Sequence, residues 1–157
     1  MATTAKAGRK ARPIEDSDSF TDVERDAMKA RAREVKKYKA KPKAASDADA
    51  AAENAAAIAA LVQPERGMAE RLAALVAATA PELKAKTWYG MPAWAKDGKV
   101  LFHFVSATKF KTRYASIGFS EEAALDEGKM WPTAFALLDL GPAEEKKIAT
   151  LLRRAMG

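Results

Sequence analysis

Two adjacent residues, Asp97 and Gly98, constrain this chain more than any others. Asp-Gly supplies the positive φ angles of a tight hairpin turn, and here it lies between two apolar segments, which makes it a strong short-range hairpin signal. The stretch around it, Thr87 to Ser106, holds two of the three tryptophans and the single histidine. After the turn, Val100, Leu101, Phe102, Phe104 and Val105 make both faces of the second strand apolar. Such a strand belongs in the middle of a sheet, covered on at least one side by helix. Simple alternation turns His103 away from Phe102 and Phe104, with Leu101 and Val105.

The rest of the chain is read around that hairpin. Residues 1–19 are polar and basic without periodicity, which predicts a disordered tail. Thr21 and Glu24 form a capping box for a helix running to about Tyr38, whose apolar stripe is thin. Lys41-Pro42-Lys43 breaks it. Ser46 then caps an alanine-rich helix with Asp49 in the box position. Pro64 opens a third helix over residues 65–80, in which Met68, Leu72, Leu75 and Val76 recur at helical spacing. From Leu83 the period shifts to two. Strands are predicted at Lys84 to Trp88, at Ala93 to Lys96, at Lys99 to Ser106, at Arg113 to Phe119 and at Thr133 to Leu140. Tyr89-Gly90-Met91-Pro92 interrupts the first two. Residues 107–112 read as a basic loop, and Ser120 to Leu125 as a short capped helix. A last helix opens at Gly141-Pro142, with Glu144 and Glu145 at its positive end and Arg153 and Arg154 at its negative end.

Helices first, then consecutive strands, then a helix predict an α+β domain: a two-layer fold with an antiparallel sheet of about five strands and helices on one face. The expected boundaries are a tail at 1–19, an N-terminal helix and linker at 20–45, and the α+β domain at 46–157.

The chain has 157 residues, enough to bury a core without staples. It has no cysteine, which excludes disulfides, zinc–thiolate sites, iron–sulfur clusters and cysteine nucleophiles. This fits a reducing cytoplasm, the expected location. No apolar run is long enough to span a bilayer, and the first residues do not read as a secretory signal. The net charge of +6 sits in residues 1–45, which hold 13 Lys and Arg against 7 Asp and Glu, while the remainder is balanced at 14 of each. A basic arm of this kind raises encounter rates with nucleic acid, or serves as a solvated tail. No Gly-rich phosphate loop, Ser-His-Asp order or metal-spaced histidine pair is present. The expectation is therefore a non-enzymatic protein.

Tyr89-Gly90-Met91-Pro92, followed by the turn and the Phe-rich strand, resembles the YdhG-like family of small bacterial domains of unknown function. Lys109-Phe110, Arg113-Tyr114, Ile117-Gly118-Phe119 and Trp131-Pro132-Thr133 are similar to its high-GC bacterial branch, as is Phe20-Thr21 with Glu24, Ala27-Met28 and Arg31. The resemblance runs from about residue 20 to the end of the chain. It implies a frataxin-like order of helix and sheet, and for some relatives the role of an intracellular iron chaperone. Iron without thiols needs carboxylate oxygens. The acidic groups are Asp22, Glu24 and Asp26, then Asp47, Asp49 and Glu53, then Glu121, Glu122, Asp126 and Glu127. Arg25, Lys29, Arg31 and Arg33 lie among the first group and oppose a metal ion there. No metal ligand is assigned, and iron is the sole cofactor considered.

The candidate ligand pocket is the aromatic turn and its neighbours: Trp88, Tyr89, Met91 and Trp94, with Trp131 from elsewhere and His103 beside them. Aromatics with polar tips line small-ligand and partner pockets and also form core edges. Lys109, Arg113 and Tyr114 add charge and stacking suited to an anion or a nucleic-acid backbone. The bland alternative for His103 is a hydrogen-bonded, half-buried imidazole. Three functions are weighed: a module binding a small ligand, metal or protein; an iron carrier acting through carboxylates; and a nucleic-acid-associated protein using the basic arm.

Overall fold

Five strands form one antiparallel meander in the order β1 (Lys84–Trp88), β2 (Met91–Lys96), β3 (Lys99–Val105), β4 (Ala115–Phe119) and β5 (Ala134–Leu137). This computed structural model describes residues 21–38 and 43–157. The expected tail at 1–19 and the proline break at Lys41-Pro42 lie outside the described residues. The Asp97-Gly98 turn forms as expected, with φ of 50° and 82°. Tyr89-Gly90, read from sequence as an interruption, is a second turn of the same kind, with φ of 52° and 75°. Positive φ at both central residues matches the twist of the flanking strands, so two tight hairpins follow one another. Pro92 is tolerated inside β2 because the ladder to β3 begins one residue later, at Ala93↔His103.

β3 is the central strand, as its apolar run predicts. The run has a further cause. Trp94 pairs with Phe102 and Ala95 pairs with Val100, so Leu101 is the extra residue of a bulge. A bulge breaks strict alternation, and here it turns Leu101 toward the side of Phe102. Both side chains are fully buried in one core cluster. His103 therefore faces away from Phe102 and Phe104 but does not share its face with Leu101, which corrects the alternation argument.

Helices α2 (Lys43–Ala59), α3 (Glu65–Thr79) and α5 (Pro142–Ala155) pack on the sheet. Met68, Leu72 and Val76 of α3 and Ile148 and Leu152 of α5 meet Trp94, Phe102, Phe104 and Ile117 in the core. Burying aromatic and aliphatic side chains of this size stabilises by about 1.5–3 kcal/mol each. Small residues bring α2 close to β1: Ala50 and Asn54 are buried, and Asn54 Nδ2 donates to the carbonyls of Lys86 (2.8 Å) and Ala93 (3.0 Å). Helix α1 (Asp22–Tyr38) carries the capping box read from sequence: Thr21 N donates to Glu24 Oε2 at 2.7 Å and Glu24 N to Thr21 Oγ1 at 3.2 Å. It touches β1 and α4 (Ala107–Phe110).

Local expectations fail in four places. Helix α2 begins at Lys43, so Ser46 lies inside it rather than capping it. The basic loop at 107–112 contains the single-turn helix α4, because Ser106 Oγ accepts from Lys109 N and caps it. Ser120 to Leu125 is a turn and not a helix: Ser120 Oγ donates to Val100 O and accepts from Glu122 N, which ties the segment to β3 instead of starting a spiral. The last two strands are shorter than read, starting at Ala115 and spanning Ala134–Leu137.

Candidate functional site

The nine predicted pocket residues do not converge. Trp94 is 3% exposed and packs on Phe102 within the core. Trp88, Tyr89 and His103 form a row in which the Trp88 ring centroid lies 4.9 Å from Tyr89 and 4.7 Å from His103. Trp131 lines a separate depression with Phe119 and Ala123. Arg113 and Tyr114 stack on each other, 5.0 Å apart, beside Pro64 and Leu138. Met91 and Lys109 do meet, in a cleft of their own.

That cleft, about 300 Å³, opens between the end of α2, the Tyr89-Gly90 turn and α4. Ala57, Leu61, Val62, Met91 and Pro92 give it apolar walls, and Ser106, Thr108 and Lys109 give it one polar side. The polar side is held by Glu65, the first residue of α3, which is 6% exposed. Glu65 accepts from Ser106 Oγ, from Thr108 N at 3.0 Å and from Thr108 Oγ1 at 3.3 Å. A carboxylate at the start of α4 satisfies amides that a helix end otherwise leaves open. Lys109 Nζ donates to Gly90 O at 3.3 Å and lies 5.6 Å from the Phe110 ring. Among the described residues no ion pair places a carboxylate on Lys109. An ammonium has three donors, so this one keeps capacity for a ligand.

Glu65, Ser106 and Thr108 were not singled out from sequence. A serine before a helical turn is a legible cap signal. The burial of Glu65 had no signal, because its partner Ser106 lies 41 residues away.

His103 is partly buried, and burial lowers its pKa to about 4, so the imidazole is neutral at ordinary pH. Its Nδ1 is buried and, among the described residues, meets no hydrogen-bond partner. The half-buried imidazole expected from sequence is present, without the hydrogen bond at that nitrogen.

Three carboxylates of the acidic groups pair with cations. Asp22 pairs with Arg25 at 2.9 Å, Glu122 with Lys99 at 3.1 Å and Glu127 with Arg154 at 3.7 Å. Among the described residues no three His, Asp or Glu side chains group to hold a metal ion, and no helix is long and apolar enough to cross a membrane. Compared with known proteins, the chain matches no family model, no curated protein and no solved structure.

Proposed function

We propose that the protein is a non-catalytic binding module that takes a small amphipathic anion in the cleft between α2, the Tyr89-Gly90 turn and α4. One arrangement supports this: Leu61, Val62, Met91 and Pro92 line the same cleft as Lys109, whose ammonium lies beside Gly90 O. The wall favours a hydrocarbon tail by burial, and the ammonium favours a carboxylate or phosphate head by charge-assisted hydrogen bonding. The other polar side chains of the cleft are already committed, since Ser106 caps α4 and donates to Glu65 while Thr108 bonds the same carboxylate. They build the site and do not constitute a nucleophile with a base. We also propose that the chain is a YdhG-like domain, on the residues of the Tyr89-Gly90-Met91-Pro92 stretch and its companions. The iron and nucleic-acid readings gain no observation: no acidic group converges among the described residues, and about half of the basic arm lies outside them.

The test is an amide-resolved NMR titration with octanoate and, separately, octanol. Octanoate is expected to shift the amides of Leu61, Gly90, Thr108 and Lys109, and to bind more tightly than octanol. Lys109→Met should weaken octanoate by roughly tenfold, about 1.4 kcal/mol, while leaving octanol unchanged. Unmoved cleft amides in the wild-type protein would dispose of the proposal.

A further inference from the structure

The two edges of the sheet differ. At β1, Lys84 and Lys86 charge the strand and α2 packs along it. At β5, no charged residue occurs from Trp131 to Leu138. Leu138 is 76% exposed, and Ala134 and Ala136 are exposed too. Natural sheets guard open edges with lysine, proline, bulges or a covering element, because unpaired amides and carbonyls recruit another strand. Pro132 stands ahead of the strand and leaves Ala134 to Leu138 unguarded.

The ladder fixes which groups are free. Phe119 N donates to Thr133 O at 2.7 Å, and the register continues Gly118↔Ala134, Ile117↔Phe135, Ser116↔Ala136 and Ala115↔Leu137. Hydrogen-bonded pairs alternate along an antiparallel ladder, so Thr133, Phe135 and Leu137 bond inward. The amides and carbonyls of Ala134 and Ala136 point outward, and Leu138 follows where the chain bends.

We infer that β5 is a homodimer edge, pairing antiparallel with β5 of a second copy about a twofold axis at Ala136. An isologous interface must match itself. This strand does so in that register. Leu138 falls opposite Ala134 of the second copy, and the reverse, so a large side chain meets a small one twice. Phe135 falls opposite Leu137 of the second copy on the helical side, where the groove of about 280 Å³ between β5 and α5 opens in each copy. No charged residue lies within Ala134–Leu137, so no like charges meet along the paired strands. The product is one continuous ten-stranded sheet.

The test uses the full chain in sedimentation equilibrium. Wild type should form a dimer that tightens with concentration. Ala136→Lys and Ala136→Glu each set like charges on the axis and should each be monomeric, with folded circular-dichroism spectra because the site is exposed. An equimolar mixture of the two places lysine opposite glutamate and should restore the dimer. A wild type monomeric at millimolar concentration, an Ala136→Lys variant as dimeric as wild type, or a mixture that stays monomeric would each overturn the assignment.

Discussion

The imidazole of His103 on β3 lies over Gly118, its registered partner on β4, and a side chain at that glycine would run into the ring. Gly118 is not among the glycines with positive φ, so it is required here for space and not for backbone freedom. Gly118→Ala should therefore destabilise the fold by about 1–3 kcal/mol, the usual range for overpacking. In a His103→Ala background the same change should cost much less, since the colliding ring is gone. Urea denaturation of the four proteins measures the coupling, and equal costs in both backgrounds would refute it.

The same burial gives His103 a pH signature. Its folded pKa of about 4 lies below the unfolded value of 6.5. The unfolded chain thus binds the proton first, and stability is lost as pH falls from above 6.5 toward 4. The effect is bounded by about 1.4 kcal/mol per pH unit in that window. Chemical denaturation between pH 7 and pH 5, where few carboxylates titrate, should show the decline in wild type. His103→Gln should flatten it.

Turn chemistry and apolar pattern carried most of the architecture. Asp97-Gly98 marked a hairpin because few dipeptides accept two positive φ angles, and the Thr21–Glu24 box marked a helix start because its bonds are local. Tyr89-Gly90 was harder to read because tyrosine rarely takes positive φ, and the following Pro92 disguised a strand. Leu101 misled by its position in a bulge, which pattern alone does not reveal. The site was less legible still. Trp88 and Trp94 are near in sequence yet face opposite sides of the sheet, whereas Glu65 and Ser106 are distant in sequence and bonded in space. Local rules see spacing along the chain, and a cleft is made by what folds back.

Glu65 offers a measurement of that distant bond. Glu65→Ala would leave the Ser106 hydroxyl and the Thr108 amide without their acceptor in a mostly buried place. Each such group costs about 1–3 kcal/mol. Glu65→Gln keeps an acceptor and should cost less. Hydrogen exchange at Thr108 should accelerate in Glu65→Ala beyond what the global loss of stability explains. Exchange that follows global stability alone would show that α4 does not depend on this carboxylate.

The attachment of α1 rests on a comparable pair. Glu34 is 6% exposed and Thr87 4% exposed, and Thr87 Oγ1 donates to Glu34 Oε1. The second carboxylate oxygen of Glu34 meets Arg31 at 3.6 Å, without a hydrogen bond among the described residues. Lys86 nearby has its pKa lowered by burial and by Arg31, and raised by Glu34. The carboxylate therefore holds two cations together as well as bonding the threonine. Among the described residues little else secures the helix: Met28 and Val35 are 42% and 38% exposed, and Ala27 is the buried apolar residue. Glu34→Ala removes both roles at once and leaves Arg31 and Lys86 as unrelieved like charges. The amides of α1 should then exchange at least tenfold faster, a loss of about 1.4 kcal/mol of local protection. Protection in β2 and β3 should stay near wild type, because among the described residues α1 contributes none to the core cluster of Phe102 and Phe104. Thr87→Val, which strips the donor but keeps the charge, should loosen α1 in the same sense and by a smaller factor. If protection in α1 and in β3 falls together in both variants, α1 is a part of the cooperative body and not a separately docked helix.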